Sequence, residues 1–269
     1  MAKTLIVGDT HLKHEIILPR VDEAAKRAGA DRIVFLGDYC DEWRASGRLL
    51  VSALEFFSEW VGRTRRAGLE VDLLLGNHDF AYLLGSKGPG TNIHLVHDVR
   101  DLLLPLQPSI AATVDGFLLT HAGVTQTWAD RFLDDPGDAA SARDQLDAMY
   151  ERGRLDELYA CGPARGGLSV PGPLWADQRE LWADAPHGFS QIVGHTPVRT
   201  CTQEKSAASL SYGAGTCLWF CDTFSLASGL QPIGDASMLL VEDGEARAVG
   251  QGNGVEVPFW EDAVDGWKR

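Results

Sequence analysis

Five short apolar runs in this chain end the same way, in a cluster of glycine with histidine, aspartate or asparagine. They are Leu5-Ile6-Val7-Gly8-Asp9-Thr10-His11, Ile33-Val34-Phe35-Leu36-Gly37-Asp38, Leu73-Leu74-Leu75-Gly76-Asn77-His78-Asp79, Phe117-Leu118-Leu119-Thr120-His121-Ala122-Gly123 and Gln191-Ile192-Val193-Gly194-His195-Thr196-Pro197. Each reads as a buried strand that stops and at once presents polar groups able to hold a metal. One such run is a turn; five of them constrain the fold. Their ends converge on one site only if the strands share a direction and an edge.

The intervening pattern supplies that arrangement. Lys3–Val7 reads as a strand, Glu15–Ala28 as a helix closed by Gly29, and Arg32–Leu36 as a second strand. Gly47–Ala67 is a long amphipathic helix closed by Gly68, and Leu69–Leu75 is a third strand. Strand–helix units this close imply right-handed crossovers and a parallel sheet, with function at the carboxyl ends of its strands. Asp115-Gly116 joins Ile110–Val114 and Phe117–Thr120 as a hairpin, and Asp243-Gly244 joins Ser237–Val241 and Ala246–Val249. Gln191–Val193 and Cys217–Cys221 are further strands, and Ala139–Leu158 is the clearest helix of a polar stretch without strands. We expect one domain over residues 1–269, with a mostly helical insertion or cap at about 125–190. The tail Val257–Arg269, with Trp260 and Trp267, is expected to dock loosely.

Composition excludes some partners. At 269 residues, 45% hydrophobic and with a net charge of −14, the chain is globular and too acidic to hold nucleic acid or an anionic membrane. No apolar run is long enough to span a bilayer. The five cysteines form no CxxC pair, which fits a reducing compartment, so a cytoplasmic location is expected. An acidic protein can still act on phosphates if cations are placed locally.

Asp9 and His11 sit two apart at one strand end, Asp38 at the next, and Asn77, His121 and His195 at three more. Mixed oxygen and imidazole donors without thiolate suit two divalent ions, Mn²⁺ first, with Fe, Zn²⁺ or Ni²⁺ as alternatives. A carboxylate such as Asp38 can bridge them. Two ions about 3.5–4 Å apart would clamp the attacking and leaving oxygens of a phosphoryl displacement.

These motifs resemble those of the calcineurin-like metallophosphoesterases, whose pattern runs GD-x-H, GD-xx-D, GNH-[D/E], a His before Ala/Gly-Gly, and Gly-His. The resemblance runs from Gly8 to Pro197. Thr120-His121-Ala122-Gly123 and Gly194-His195-Thr196-Pro197 look most like the bacterial and phage branch, akin to serine/threonine protein phosphatases and dinucleoside tetraphosphate hydrolases. It implies a four-layer α/β/β/α sandwich of two mixed sheets. It also implies one ion on Asp9, His11 and Asp38 and a second on Asp38, Asn77, His121 and His195. His78 would then protonate the leaving group and Asp41 would orient it, while metal-bound hydroxide attacks a phosphomonoester of a phosphoprotein or small molecule. The alternatives are a nucleotide hydrolase acting on a dinucleoside polyphosphate or cyclic phosphodiester, and a catalytically silent scaffold.

Two departures concern the substrate. Where the family often reads Asp-Arg-Gly, this chain has Asp41-Glu42-Trp43, so the usual phosphate-binding arginine is missing. Arg44, Arg48, Arg165 and Arg179 are the candidates to replace it. Leu12 follows His11 where glycine is common, which suggests a bulkier first loop. His94 and His97 match no motif, Trp175 is explained by packing, and Gly85–Gly90 reads as a loop at the rim.

Overall fold

The computed structural model describes residues 3–212 and 215–250; the tail Val257–Arg269 lies outside them. Two five-stranded mixed sheets face one another. In chain order the first is built from β1 (Thr4–Val7), β2 (Arg32–Phe35) and β3 (Glu70–Leu73). The second takes β4 (Ala111–Val114), β5 (Phe117–Thr120), β6 (Ser190–Pro197), β7 (Thr202–Lys205) and β8 (Cys217–Asp222). Then β9 (Met238–Glu242) and β10 (Glu245–Val249) return to the first. The strand orders are β10-β9-β1-β2-β3 and β4-β5-β6-β8-β7. In the first sheet β1, β2 and β3 are parallel, and in the second β5, β6 and β8 are.

Strand alternation divides the side chains between layers. Ile6, Val34, Leu119, Ile192, Trp219 and Leu239 meet between the sheets. The other faces of β1–β3, including Leu5, Val7, Ile33, Phe35 and Leu73, pack on α1 (His14–Ala28), α2 (Gly47–Arg66) and α4 (Val96–Leu103). α3 (Asn77–Leu84) follows β3 directly. Leu118 is covered by α5 (Gln126–Phe132) and α6 (Ala139–Glu151), and Val193, Leu218 and Phe220 pack near Leu181 of α8 (Gln178–Ala183). The result is the four-layer α/β/β/α sandwich.

Some local expectations change. The helix read over Ala139–Leu158 is two, because Gly153 turns left-handed (φ 72°) between α6 and α7 (Leu155–Leu158). α3, β7 and α9 (Ala207–Tyr212) carry too weak an apolar pattern to be read alone; β7 alternates as a polar edge strand. Leu12 does not enlarge the first loop: it is buried among the aliphatic side chains under the first sheet. Among the described residues no helix is long and apolar enough to cross a membrane.

Candidate metal centre

The parallel strands β1, β2, β3, β5 and β6 deliver their carboxyl ends to one edge, and glycines let those ends close. A Cβ on Gly8 would lie 2.1 Å from the Cys221 carbonyl, one on Gly76 2.1 Å from Asp38 Oδ1, and one on Gly194 2.1 Å from Asp9 Oδ1. Gly76 and Gly194 therefore leave the space occupied by a neighbouring motif's carboxylate, and Gly8 the space of a backbone carbonyl. The polar residues take up the bend. His11 (φ 42°), Asp38 (φ 54°), Asp41 (φ 59°) and His195 (φ 64°) all hold left-handed backbone, at about 1–3 kcal/mol each. For His195 the cause is visible: the β6–β8 register shifts between Val193 and Pro197, and such a bulge re-aims the side chain.

Asp79 ties the loops together. Its Oδ1 accepts from the amides of Tyr39 (2.9 Å) and Cys40 (3.0 Å), and its Oδ2 from those of Asp38 (2.8 Å) and Gly76 (2.9 Å). This carboxylate anchors the Asp38 loop to the start of α3. Thr10 and His11 complete the bundle by donating their amides to the Asp38 carbonyl at 3.2 and 2.8 Å.

Lone pairs then converge. His121 Nδ1 donates to the Leu36 carbonyl at 2.9 Å. The ring is held neutral because burial lowers its pKa to about 4. Its Nε2 therefore presents a lone pair, 2.9 Å from Asn77 Oδ1, 3.1 Å from His195 Nδ1 and 3.4 Å from Asp38 Oδ2. His11 is held likewise, with Nδ1 on the carbonyls of Asp41 (3.0 Å) and Cys40 (3.2 Å), and Nε2 is 3.7 Å from Asp38 Oδ2. A ring nitrogen fixed on a backbone carbonyl with the other turned inward is how imidazole ligands are oriented. Two groups have mutually close ligand atoms: His11, Asp38 and His78, and Asp38, His121 and His195. Asp38 belongs to both.

Charge in the site fits a cation. Burial pushes Asp38 up to about 6 and Asp222 to about 7, and raises Asp9, with carboxylate neighbours adding to each. His195 Nε2 is buried without a hydrogen-bond partner. Acceptors crowded out of water in this way are stabilised by a bound ion. Asp9 lies slightly apart, with both oxygens 3.0 Å from the His195 amide.

His78 differs from the other histidines. Its amide donates to Asp38 Oδ1 at 3.0 Å, and its Nδ1 is 3.0 Å from Asp41 Oδ2. Burial alone would lower its pKa, but Asp38 and Asp41 raise it to about 9. The ring is therefore a proton donor at neutral pH. Asp41 is itself held by the Tyr82 hydroxyl (2.7 Å), which accepts from the Asn92 amide at 2.9 Å.

A cavity of about 660 Å³ opens above these residues, lined by His11, Asp38, Asn77, His78 and His195. Of the four candidate arginines, Arg44 and Arg165 line it. Arg165 Nη2 donates to Thr196 Oγ1 at 2.8 Å, and Nε lies 3.2 Å from Asp177 Oδ2. Arg48 lies in a separate groove beside Val51 and Asn92. Arg179 is an exposed side chain paired with Asp177 at 2.9 Å. Neither reaches the cavity, because their positions on α2 and α8 turn away from it. The stretch 125–190 is divided between two places: its helices cover the second sheet, and Arg165 and Trp175 reach the cavity.

Three further residues were not among the expected site residues. Asp222 lines the cavity and carries the same sequence signal as the others, an apolar strand ending in a carboxylate. Lys13 forms a buried ion pair with Glu42, and Trp175 packs edge-on against His195 with centroids 5.6 Å apart.

Oxygen and imidazole donors at the shared edge of two facing sheets define a metal-dependent hydrolase of phosphoric esters. The chain belongs to the calcineurin-like phosphoesterases, whose family model matches residues 2–227. Among solved structures, a cold-active protein-tyrosine phosphatase from a psychrophilic Shewanella species is 18% identical with a TM-score of 0.55. The match covers 92% of this chain and 80% of that one. Another structure of a cold-active protein tyrosine phosphatase gives 18% and 0.54, over 92% and 78%. A proposed diadenosine tetraphosphatase is 17% identical over 94% and 95% of the chains, with a TM-score of 0.42. At such identities the first two show a shared fold. No curated protein sequence matches the chain significantly.

Proposed function

We propose that this phosphoesterase hydrolyses a phosphomonoester, of a phosphoprotein or a small phosphorylated molecule, with two divalent cations that Asp38 would help to hold. The observation that carries this reading is the membership of Asp38 in both ligand groups. His11 and Asp38 would hold one ion, with Asp9 reaching it from β1; Asp38, Asn77, His121 and His195 would hold the other. The donor set suits Mn²⁺ first, with Fe, Zn²⁺ or Ni²⁺ as alternatives. When bound, such a pair supplies positive charge at the phosphoryl oxygens and acidifies water.

The chain's own residues do the rest. His78, charged at neutral pH, passes its proton from Nε2 to the leaving oxygen while Asp41 holds Nδ1. Tyr82 keeps Asp41 in place. Arg165 has donors beyond those engaged by Thr196 and Asp177 and binds the phosphoryl oxygens in place of the missing Asp-Arg-Gly arginine. Together with His78 it favours the dianionic monoester over a diester. The whole chain acts as one catalytic unit, with residues 125–190 serving as outer layer and rim. A cytoplasmic location is supported by its five free cysteines.

Purified protein with Mn²⁺ should cleave p-nitrophenyl phosphate in preference to its bis ester, and Asp38→Asn should abolish turnover. Wild-type protein should bind two equivalents of Mn²⁺ by calorimetry. A clear preference for the diester or for a dinucleoside polyphosphate would replace the monoester reading. Metal binding without turnover of any phosphoester would favour a scaffold.

A further inference from the structure

We infer that the leaving group of the substrate carries a planar aromatic ring, seated against Trp43. The inference rests on the phosphoesterase reading above and adds the class of group attached to the phosphate. Glu42 and Trp43 stand where the family often has Arg-Gly, and the structure shows what each does. Glu42 is withdrawn into a buried ion pair with Lys13, so the missing arginine is not replaced by an open carboxylate. Trp43 remains at the surface, 53% exposed, and lines the cavity that holds Asp38, Asn77 and His78.

An indole left in water beside an active site has a physical cost, and this one is held there. Its amide donates to Glu42 Oε1 at 2.7 Å, and its Nε1 donates to the Leu226 carbonyl at 2.9 Å. Asp41 and Arg44 on either side have left-handed backbone (φ 59° and 63°), so the loop is bent around a defined position. With its one polar atom engaged by the backbone, the ring offers a ligand only apolar and π surface. Leu226, whose carbonyl holds the indole, also lines the cavity, as do Pro89, Ala227 and Ile233, the last 36% exposed. The cavity therefore has an ionic floor and an apolar side. A phosphoryl group at the floor places its ester substituent against the wall, and a flat ring uses a tryptophan face better than an alkyl chain does.

Simple aryl esters are poor tests, because their leaving groups are intrinsically reactive. Benzyl and cyclohexylmethyl phosphate avoid this: the alcohols are of similar acidity, and the rings differ in planarity and π character. The Mn²⁺-loaded enzyme should show about two- to tenfold higher kcat/KM for the benzyl ester. That ratio should fall to about one in Trp43→Ala and persist in Trp43→Phe. The non-hydrolysable benzyl and cyclohexylmethyl phosphonates should show the same ratio in Kd by calorimetry. Adding adenosine 5′-monophosphate and a phosphotyrosyl dipeptide then distinguishes a nucleobase from a phenol ring as the source of the aromatic group. Equal constants for the two rings in the wild type, or a ratio unchanged by Trp43→Ala, would overturn the inference while p-nitrophenyl phosphate turnover leaves the phosphoesterase reading intact. Failure to turn over any ester would overturn both.

Discussion

Asp79→Asn is the substitution that best separates an organising carboxylate from a ligand. The change is isosteric and leaves every proposed metal donor in place. It replaces one acceptor oxygen with an NH₂ group facing backbone donors, whether the pair from Tyr39 and Cys40 or the pair from Asp38 and Gly76. Two buried N–H groups then lose their acceptors, at about 1–3 kcal/mol each, for a total of about 2–6 kcal/mol. A domain of ordinary stability has only about 5–15 kcal/mol, so this is a large fraction. The damage should also be directional. The Asp38 loop and the start of α3 part company, and with them Asp38 and Asn77. Urea unfolding followed by tryptophan fluorescence should show a lower midpoint at unchanged slope. The amides of residues 38–40 and 76 should exchange with solvent faster, and Mn²⁺ should bind more weakly. A stability within about 1 kcal/mol of wild type, with metal affinity retained, would refute the view that four amides on one carboxylate assemble the site.

Three other perturbations test other parts of the argument. Gly194→Ala places a methyl 2.1 Å from Asp9 Oδ1; Mn²⁺ binding by calorimetry should weaken at least tenfold, and unchanged affinity would remove the close-approach explanation. Tyr82→Phe deletes the hydroxyl on Asp41, so kcat should fall by about tenfold, with little change in KM, and the basic limb of the pH–rate profile should move. His14 is buried, stacked on Phe57, with Nδ1 2.9 Å from the Ala53 carbonyl and Nε2 3.1 Å from Thr10 Oγ1. Burial lowers its pKa to about 3, below its ordinary unfolded value of about 6.5, so the unfolded chain takes the proton first. Stability should then be lost as pH falls below about 6.5, by on the order of 2 kcal/mol at pH 5. His14→Gln should flatten that limb in urea melts at graded pH.

The sequence by itself determined which strands end in donors, and this was legible because each motif is local. A buried apolar run, a glycine and a polar residue lie within seven positions, and the strand–helix alternation sets the parallel order that aligns their ends. Asp9, His11, Asp38, Asn77, His78, His121 and His195 could all be named that way, whereas the pairing of Asp41 with His78 was implied only by the resemblance to the family. Only the tertiary structure decided what depends on approach between distant segments. It showed that Gly76 and Gly194 make room for a neighbour's carboxylate, that Asp79 holds two loops by four amides, and that Arg165 faces the cavity while Arg48 and Arg179 do not. It also withdrew Glu42 onto Lys13 and left Trp43 at the rim. The physical reason is the same in each case. A strand's hydrophobic pattern is written in its own residues, whereas the direction of a loop side chain is set by contacts with other segments, 186 positions away for His195 with Asp9.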